Sequence, residues 1–303
     1  MTVLDDALAD YLAVRRALGY QLIEVARQLE KFVSELNRSG IDTLTVSVAV
    51  DWATAGGTRS GGVGAQRLSA VRGFARYLQA LDPAHQVPPA RILPARRNRP
   101  VPHVYCDTDI DALMTAARTL QPAGWAATVE TMIGLLWVTG MRISEVLALN
   151  SADFDADAGV LTVWFSKFNK SRHIPVASTT ATALTRYRHQ HPSHGPLFVT
   201  AKGERVSYPT FKRTFDRLID TVAITTSTGR RPRVHDVRHS FATTTLLGWY
   251  RSGADVHALL PRLSTYLGHV EPASTYWYLT ATPELMACAA SRLEQRQQRR
   301  VVS

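Results

Sequence analysis

Residues 160 to 176 read VLTVWFSKFNKSRHIPV, and at this stretch the apolar period changes from that of a helix to that of a strand. Val160, Leu161, Val163 and Phe165 lie before a polar turn, SKFNKSR, and His173, Ile174 and Val176 lie after it, which predicts a β-hairpin. Its surroundings read as helix. Upstream, Asp107 or Thr108 caps a helix reaching about Leu120, a long apolar helix covers Trp125 to Val138, and another covers Ile143 to Leu149. Downstream, helices cover Thr179 to His189 and Tyr208 to Val222. From Val234 onward the pattern is helical almost throughout, with Thr282 and Pro283 opening a last helix. The expectation is a mainly α domain carrying a small antiparallel β-sheet.

The first hundred residues show helical periodicity over Leu4–Leu18, Ile23–Leu36, Val46–Ala53 and Ala65–Leu81. In the last of these, Leu68, Val71, Phe74, Ala75 and Leu78 share a stripe, while Arg67, Arg72 and Arg76 take the other faces and are expected to point outward. Residues 56–66, GGTRSGGVGAQ, lack the Gly-Lys-Ser/Thr of a phosphate-binding loop and read as a turn. Residues 87–102, VPPARILPARRNRPVP, hold five prolines, four arginines and no acid, which reads as a stiff basic linker able to follow a phosphate backbone. At 303 residues the chain exceeds one ordinary core, so it divides into a helical domain over 1–86, a linker over 87–104 and a larger domain over 105–303.

Thirty of the 35 basic residues are Arg, and the net charge is +10. The guanidinium fork grips phosphate oxygens in pairs, so this excess points to a polyanion, nucleic acid ahead of membrane. No apolar run approaches the roughly 20 residues that span a bilayer, and the start lacks the pattern of a secretory signal, which makes the cytoplasm the expected location. Cys106 and Cys288 alone make neither a disulfide framework nor a four-ligand zinc site. His189, His191 and His194 read as solvated loop histidines, and His235 with His239 lacks a third metal ligand at suitable spacing. No metal or cofactor is expected.

Four segments of the second half belong together: TGMRISEVLAL around Arg142, the hairpin turn with Lys167, HDVRHSF with His235 and Arg238, and LGHVEPASTYWYL with His269 and Tyr278. Singly they say little; His-x-x-Arg occurs by chance about once in such a composition. As an ordered set they resemble the tyrosine recombinases, the phage integrase family. That family's signature is Arg, Lys, His-x-x-Arg, His or Trp, then Tyr, with the nucleophile nine residues after the second histidine. Tyr276 is the rival nucleophile, and the nine-residue interval from His269 selects Tyr278. Lys170 competes with Lys167, and spacing favours Lys167. The sequence departs from the common pattern in Leu279 and Thr280 after the tyrosine and in the long stretch HALLPRLSTYLGH.

The chemistry explains the residue types. Displacement at a phosphodiester spreads negative charge over the equatorial oxygens, which two guanidinium groups, Arg142 and Arg238, can hold. A phenol with pKa near 10 is ionised to only about one part in a thousand at pH 7, so Tyr278 needs a proton acceptor, His235 or His269. Lys167 on a turn suits the general acid for the departing 5′ oxygen. The resemblance further implies a core-binding, SAM-like amino-terminal domain and double-stranded DNA clamped between the two domains. It also implies a homo-tetramer on two DNA sites, with a related recombinase or DNA-bending accessory partners. Arg bias and the elongated segment favour a mobile-element integrase. The rivals are a type IB topoisomerase-like relaxase and a catalytically silent DNA-binding accessory protein. The apolar stripe Leu285, Ala289 and Leu293 suits docking on a neighbour or packing within the chain.

Overall fold

The structure is a computed structural model, and it describes residues 2–55, 62–94, 101–166, 170–224, 226, 229–268, 286, 287 and 290. The chain forms two compact units, Met1–Pro100 and Val101–Ser303.

The first unit packs α1 (Val3–Ala17), α2 (Ile23–Arg38), α3 (Val46–Thr54) and α4 (Val63–Leu81). Thr2 caps α1: its hydroxyl accepts from the Asp5 N–H while the Asp5 carboxylate accepts from the Thr2 N–H. Leu29, Phe32, Val33, Leu36, Val71, Phe74 and Ala75 are fully buried, each larger side chain contributing about 1.5–3 kcal/mol by leaving water. Two sequence expectations change here. The segment from 87 to 94 packs against this unit, with Val87 and Leu93 touching its core. Arg72 does not project freely either: its Nε donates to the Pro88 carbonyl at 2.8 Å and its Nη2 to the Pro89 carbonyl at 2.9 Å. Proline supplies no N–H but its carbonyl still accepts, so a guanidinium fork can fasten consecutive prolines. Arg67 is likewise tied, through Nη1, to the Ala55 carbonyl.

The second unit contains α5 (Asp107–Arg118), α6 (Ala123–Thr139), α7 (Ile143–Ala148), β1 (Phe154–Asp155), β2 (Val160–Ser166), β3 (Lys170–Pro175), α8 (Ser178–Gln190), α9 (Tyr208–Val222), α10 (Val234–Arg251) and α11 (Val256–Leu267). The strands form one antiparallel sheet in the order β1-β2-β3. Leu161 faces Ile174 and Val163 faces Arg172 across the hairpin. The fold is therefore mostly helical with a small antiparallel sheet, as the period change at residue 160 indicates.

Helix α6 is mostly apolar and packs into the core of this unit, burying Val129, Met132, Ile133, Leu135 and Leu136, with Glu130 left to pair with Arg118. It ends at Gly140, whose φ of +59° needs glycine. Phe241 of α10 packs where a β-carbon would stand, so the same glycine brings α10 against the end of α6. The α5 cap is Cys106, one residue before the expected pair; the Asp109 carboxylate accepts its N–H at 3.0 Å. The stretch from Val234, helical almost throughout, is divided between Arg251 and Val256 at Gly253, with φ of +78°. His191 stacks on Tyr187 with ring centroids 4.5 Å apart, and so is packed rather than solvated. Among the described residues no helix is long and apolar enough to cross a membrane.

Candidate active site

Arg142 sits at the amino-terminal cap of α7, between Gly140 and Glu145. The Glu145 carboxylate, three residues into the helix, reaches back to accept the Arg142 N–H at 2.9 Å and Nη1 at 2.8 Å. Nη2 of Arg142 donates to the Gly268 carbonyl at 2.9 Å. Arg142 thus pairs with Glu145 at the helix start, and the pairing leaves the other edge of the guanidinium aimed at the end of α11.

Helix α10 begins by the same device. Asp236 accepts the Arg233 N–H at 2.9 Å and its Nη2 at 2.8 Å. This start places His235, Arg238 and His239 at helical spacing on one face while Val234 and Val237 are buried. Arg238 is itself only 2% exposed; its Nη1 donates to the Gly140 carbonyl at 2.9 Å and its Nη2 to the Leu267 carbonyl at 2.6 Å.

A third guanidinium completes the cluster. Nε of Arg172, on β3, donates to the Tyr266 carbonyl at 2.8 Å. Its Nη1 and Nη2 donate to the two oxygens of Glu145 at 3.0 and 2.9 Å. Arg172, Arg238 and Arg142 therefore hold the carbonyls of three successive residues, Tyr266, Leu267 and Gly268. The last carbonyls of a helix lack partners inside it, and cations are favoured at that end.

The electrostatics follow from this crowding. Burial works to raise the Glu145 carboxyl, but hydrogen bonds and charge from Arg172, then from Arg142, outweigh it and hold the group below the ordinary glutamate range. Packing around the ring and the adjacent Arg238 push His235 down to about 4, although the residue as a whole is exposed. Burial and the neighbouring His235 push His239 down to about 3. The two rings meet edge to face with centroids 4.7 Å apart. Both imidazoles are neutral at pH 7. A neutral imidazole beside cations is a proton acceptor whose protonated form the site disfavours, so it returns the proton readily.

Arg142, His235 and Arg238 are thus brought together from segments 93 and more residues apart. Lys167, His269, Tyr278 and the rival Tyr276 lie outside the described residues, as do Cys288, Leu285, Ala289 and Leu293. Lys167 follows the last residue of β2, and His269 follows Gly268, whose carbonyl Arg142 holds. Arg172 is none of the signature residues of the four motif segments. Its signal is the strand register: it shares a face with the buried Ile174, an unusual place for a charge. Also unread is the tie between Ser240, two residues past Arg238, and the start of the unit: its hydroxyl accepts the buried Tyr105 N–H at 2.8 Å.

Residues 106–284 match the profile of the phage integrase family. The chain is 40% identical to a Sinorhizobium fredii protein named as an integrase/recombinase, y4rB, with 98% of each chain covered. It is 32% identical to the tyrosine recombinase XerC of Rhodospirillum centenum, over 75% of this chain and 63% of that one. Among solved structures, the Tn1549 transposon integrase in complex with transposon right end DNA shares its fold with a TM-score of 0.65 at 15% identity, covering 95% of this chain and 98% of that one. With its ordered motif set and a match across more than half its length, the chain belongs to the phage integrase family.

Proposed function

We propose that the protein is a site-specific DNA recombinase that cuts and rejoins strands through a 3′-phosphotyrosyl intermediate, as an integrase of a mobile element. The observation that carries this reading is the convergence of the Arg142 and Arg238 guanidinium groups on adjacent carbonyls, immediately before position 269 and beside the neutral His235. In this proposal the two arginines take the nonbridging oxygens of one scissile phosphate of double-stranded DNA, and their hydrogen bonds strengthen as charge grows on those oxygens. The Tyr278 hydroxyl attacks phosphorus and its proton passes to His235. The P–O5′ bond breaks, Lys167 gives the departing oxygen a proton, and His269 donates a hydrogen bond to the phosphate. One phosphoester replaces another, so attack by a 5′ hydroxyl from a second strand rejoins the DNA without an external energy source.

Names of relatives support the integrase and recombinase reading, and a transposon integrase bound to DNA shares the fold. Two DNA sites brought together by four copies, with related recombinases or DNA-bending proteins as partners, and work in the cytoplasm complete the proposal. The test incubates the protein with nicked suicide duplexes carrying its recombination site and seeks a denaturant-resistant adduct. Tyr278→Phe is expected to abolish the adduct and Tyr276→Phe to retain it; the opposite pattern reverses the assignment. Relaxation of supercoiled plasmid independent of site would instead mark a topoisomerase-like enzyme, and binding with no adduct would mark an accessory protein.

A further inference from the structure

Beyond the residues assigned to the reaction, one charged side chain is enclosed at the place where the reaction is proposed to occur. Arg172 leaves only 12% of its side chain exposed, and Glu145, its partner, 5%. Enclosing an ion pair is costly in desolvation and often brings no net stability, so its presence here calls for a reason other than folding. We infer that Arg172 is a positioning residue for strand cleavage: through Glu145 and the Tyr266 carbonyl it fixes the Arg142 guanidinium and the end of α11 for gripping the phosphate. This rests on the function proposed above.

Three features support the assignment. First, the Glu145 carboxylate receives four donors, two from the Arg172 fork and two from Arg142, one of them the backbone N–H. The carboxylate that orients Arg142 is therefore itself oriented by Arg172. Second, the remaining donor of Arg172 holds Tyr266, so the turn leading to position 269 is pinned at three consecutive residues by three guanidinium groups. Third, Gly268 presses against Arg172: a β-carbon there would stand 2.9 Å from Nη1 and 3.1 Å from Cζ. The glycine preceding His269 makes room for this arginine.

Lysine does not substitute for this geometry, because a point charge cannot engage both carboxylate oxygens and a carbonyl at fixed angles. The ionisable groups around Glu145 among the described residues are Arg142 on α7 and Arg172 on β3, with Arg238 and His235 of α10 and Tyr266 of α11 around them. Removing Arg172 takes away the larger of the two influences that keep the carboxyl ionised.

The experiment measures adduct formation on a nicked suicide duplex across pH for the wild type, Arg172→Gln and Arg172→Lys, alongside DNA affinity. Arg172→Gln is expected to bind DNA within about threefold of wild type while cleaving about 100-fold more slowly, the scale of a displacement near 1 Å. The acidic limb of its rate profile is expected to move to higher pH. Arg172→Lys is expected to return the limb toward the wild-type position while leaving the rate low. Cleavage by Arg172→Gln within threefold of wild type, or an unmoved acidic limb, would overturn the inference. If Arg172→Gln fails to bind DNA through loss of folding, Arg172→Lys decides: a wild-type rate overturns the inference and a slow rate with an unshifted limb supports it. A wild type that forms no adduct overturns the proposed function and this inference with it, whereas adducts at equal rates from all three proteins overturn this inference alone.

Discussion

Arg172 and Gly268 are in contact in a way that leaves no space for a side chain at residue 268, whose φ of +67° already disfavours one. Gly268→Ala is expected to combine two penalties, about 1–2 kcal/mol from the left-handed backbone and a further cost from displacing the guanidinium. In an Arg172→Ala background only the backbone part remains. Urea denaturation of the four proteins is expected to give a coupling of about 0.5–3 kcal/mol; strictly additive effects would show that the two residues do not touch.

Glu145 ties stability to acid. Its folded pKa lies below the ordinary value of about 4.3, so its contribution is fully present above that value and is lost as pH falls through the lower folded one. Glu145→Gln leaves two enclosed guanidinium groups short of a partner and is expected to cost about 3–5 kcal/mol at pH 7. Calorimetric scans from pH 7 to pH 3 are expected to show the gap between the two proteins narrowing below about pH 4.3; a constant gap would refute the account.

His235 and His239 carry the same sign for a different reason. Their folded values, about 4 and about 3, lie below the ordinary histidine value of about 6.5. Folding favours their neutral forms, so stability is full above about 6.5 and declines as pH falls toward the folded values. Imidazole signals followed by NMR are expected to have midpoints well under 6.5, and the cleavage rate is expected to show no inflection near 6.5 from His235. A His235 midpoint at or above 6.5 would show that packing and the neighbouring Arg238 do not hold the imidazole below its ordinary value.

Ser240 fastens residue 105 to the helix bearing His235 and Arg238. Ser240→Ala strands a buried N–H and is expected to cost about 1–3 kcal/mol in urea denaturation. Hydrogen exchange of the Tyr105 amide is expected to quicken more than that of amides in the middle of α6, and equal effects at both places would show that the bond is not local.

The fold was legible because its two periods differ. Helix boundaries from Val3 to Val222 fall near the positions that apolar spacing indicates, and the hairpin announces itself at Val160. The two-residue β1 is too short to carry a period, and Cys106 is a cap that no preference points to. At the site, Arg142, His235 and Arg238 were legible as residue types suited to a phosphate, and the chain does bring them together. What they hold was not legible: their acceptors are carbonyls of residues 140, 267 and 268, and a backbone acceptor leaves no mark in side-chain identity. Arg172 hides at the end of the polar turn SKFNKSR, although alternation from Ile174 places it inward.

The arginines fastened to protein carbonyls alter what the net charge of +10 means for binding. Arg72, Arg172 and Arg205 spend their donors on Pro88 and Pro89, on Glu145 and Tyr266, and on Leu147, Leu149 and Asn150. Each phosphate neutralised by a cation on B-DNA releases condensed counterions and steepens the salt dependence by about 0.9 in the logarithmic slope. Guanidinium groups already engaged by the protein's own oxygens have fewer donors left for phosphate. The ionic-strength titration of this protein on DNA should therefore be shallower than its tally of guanidinium groups would suggest.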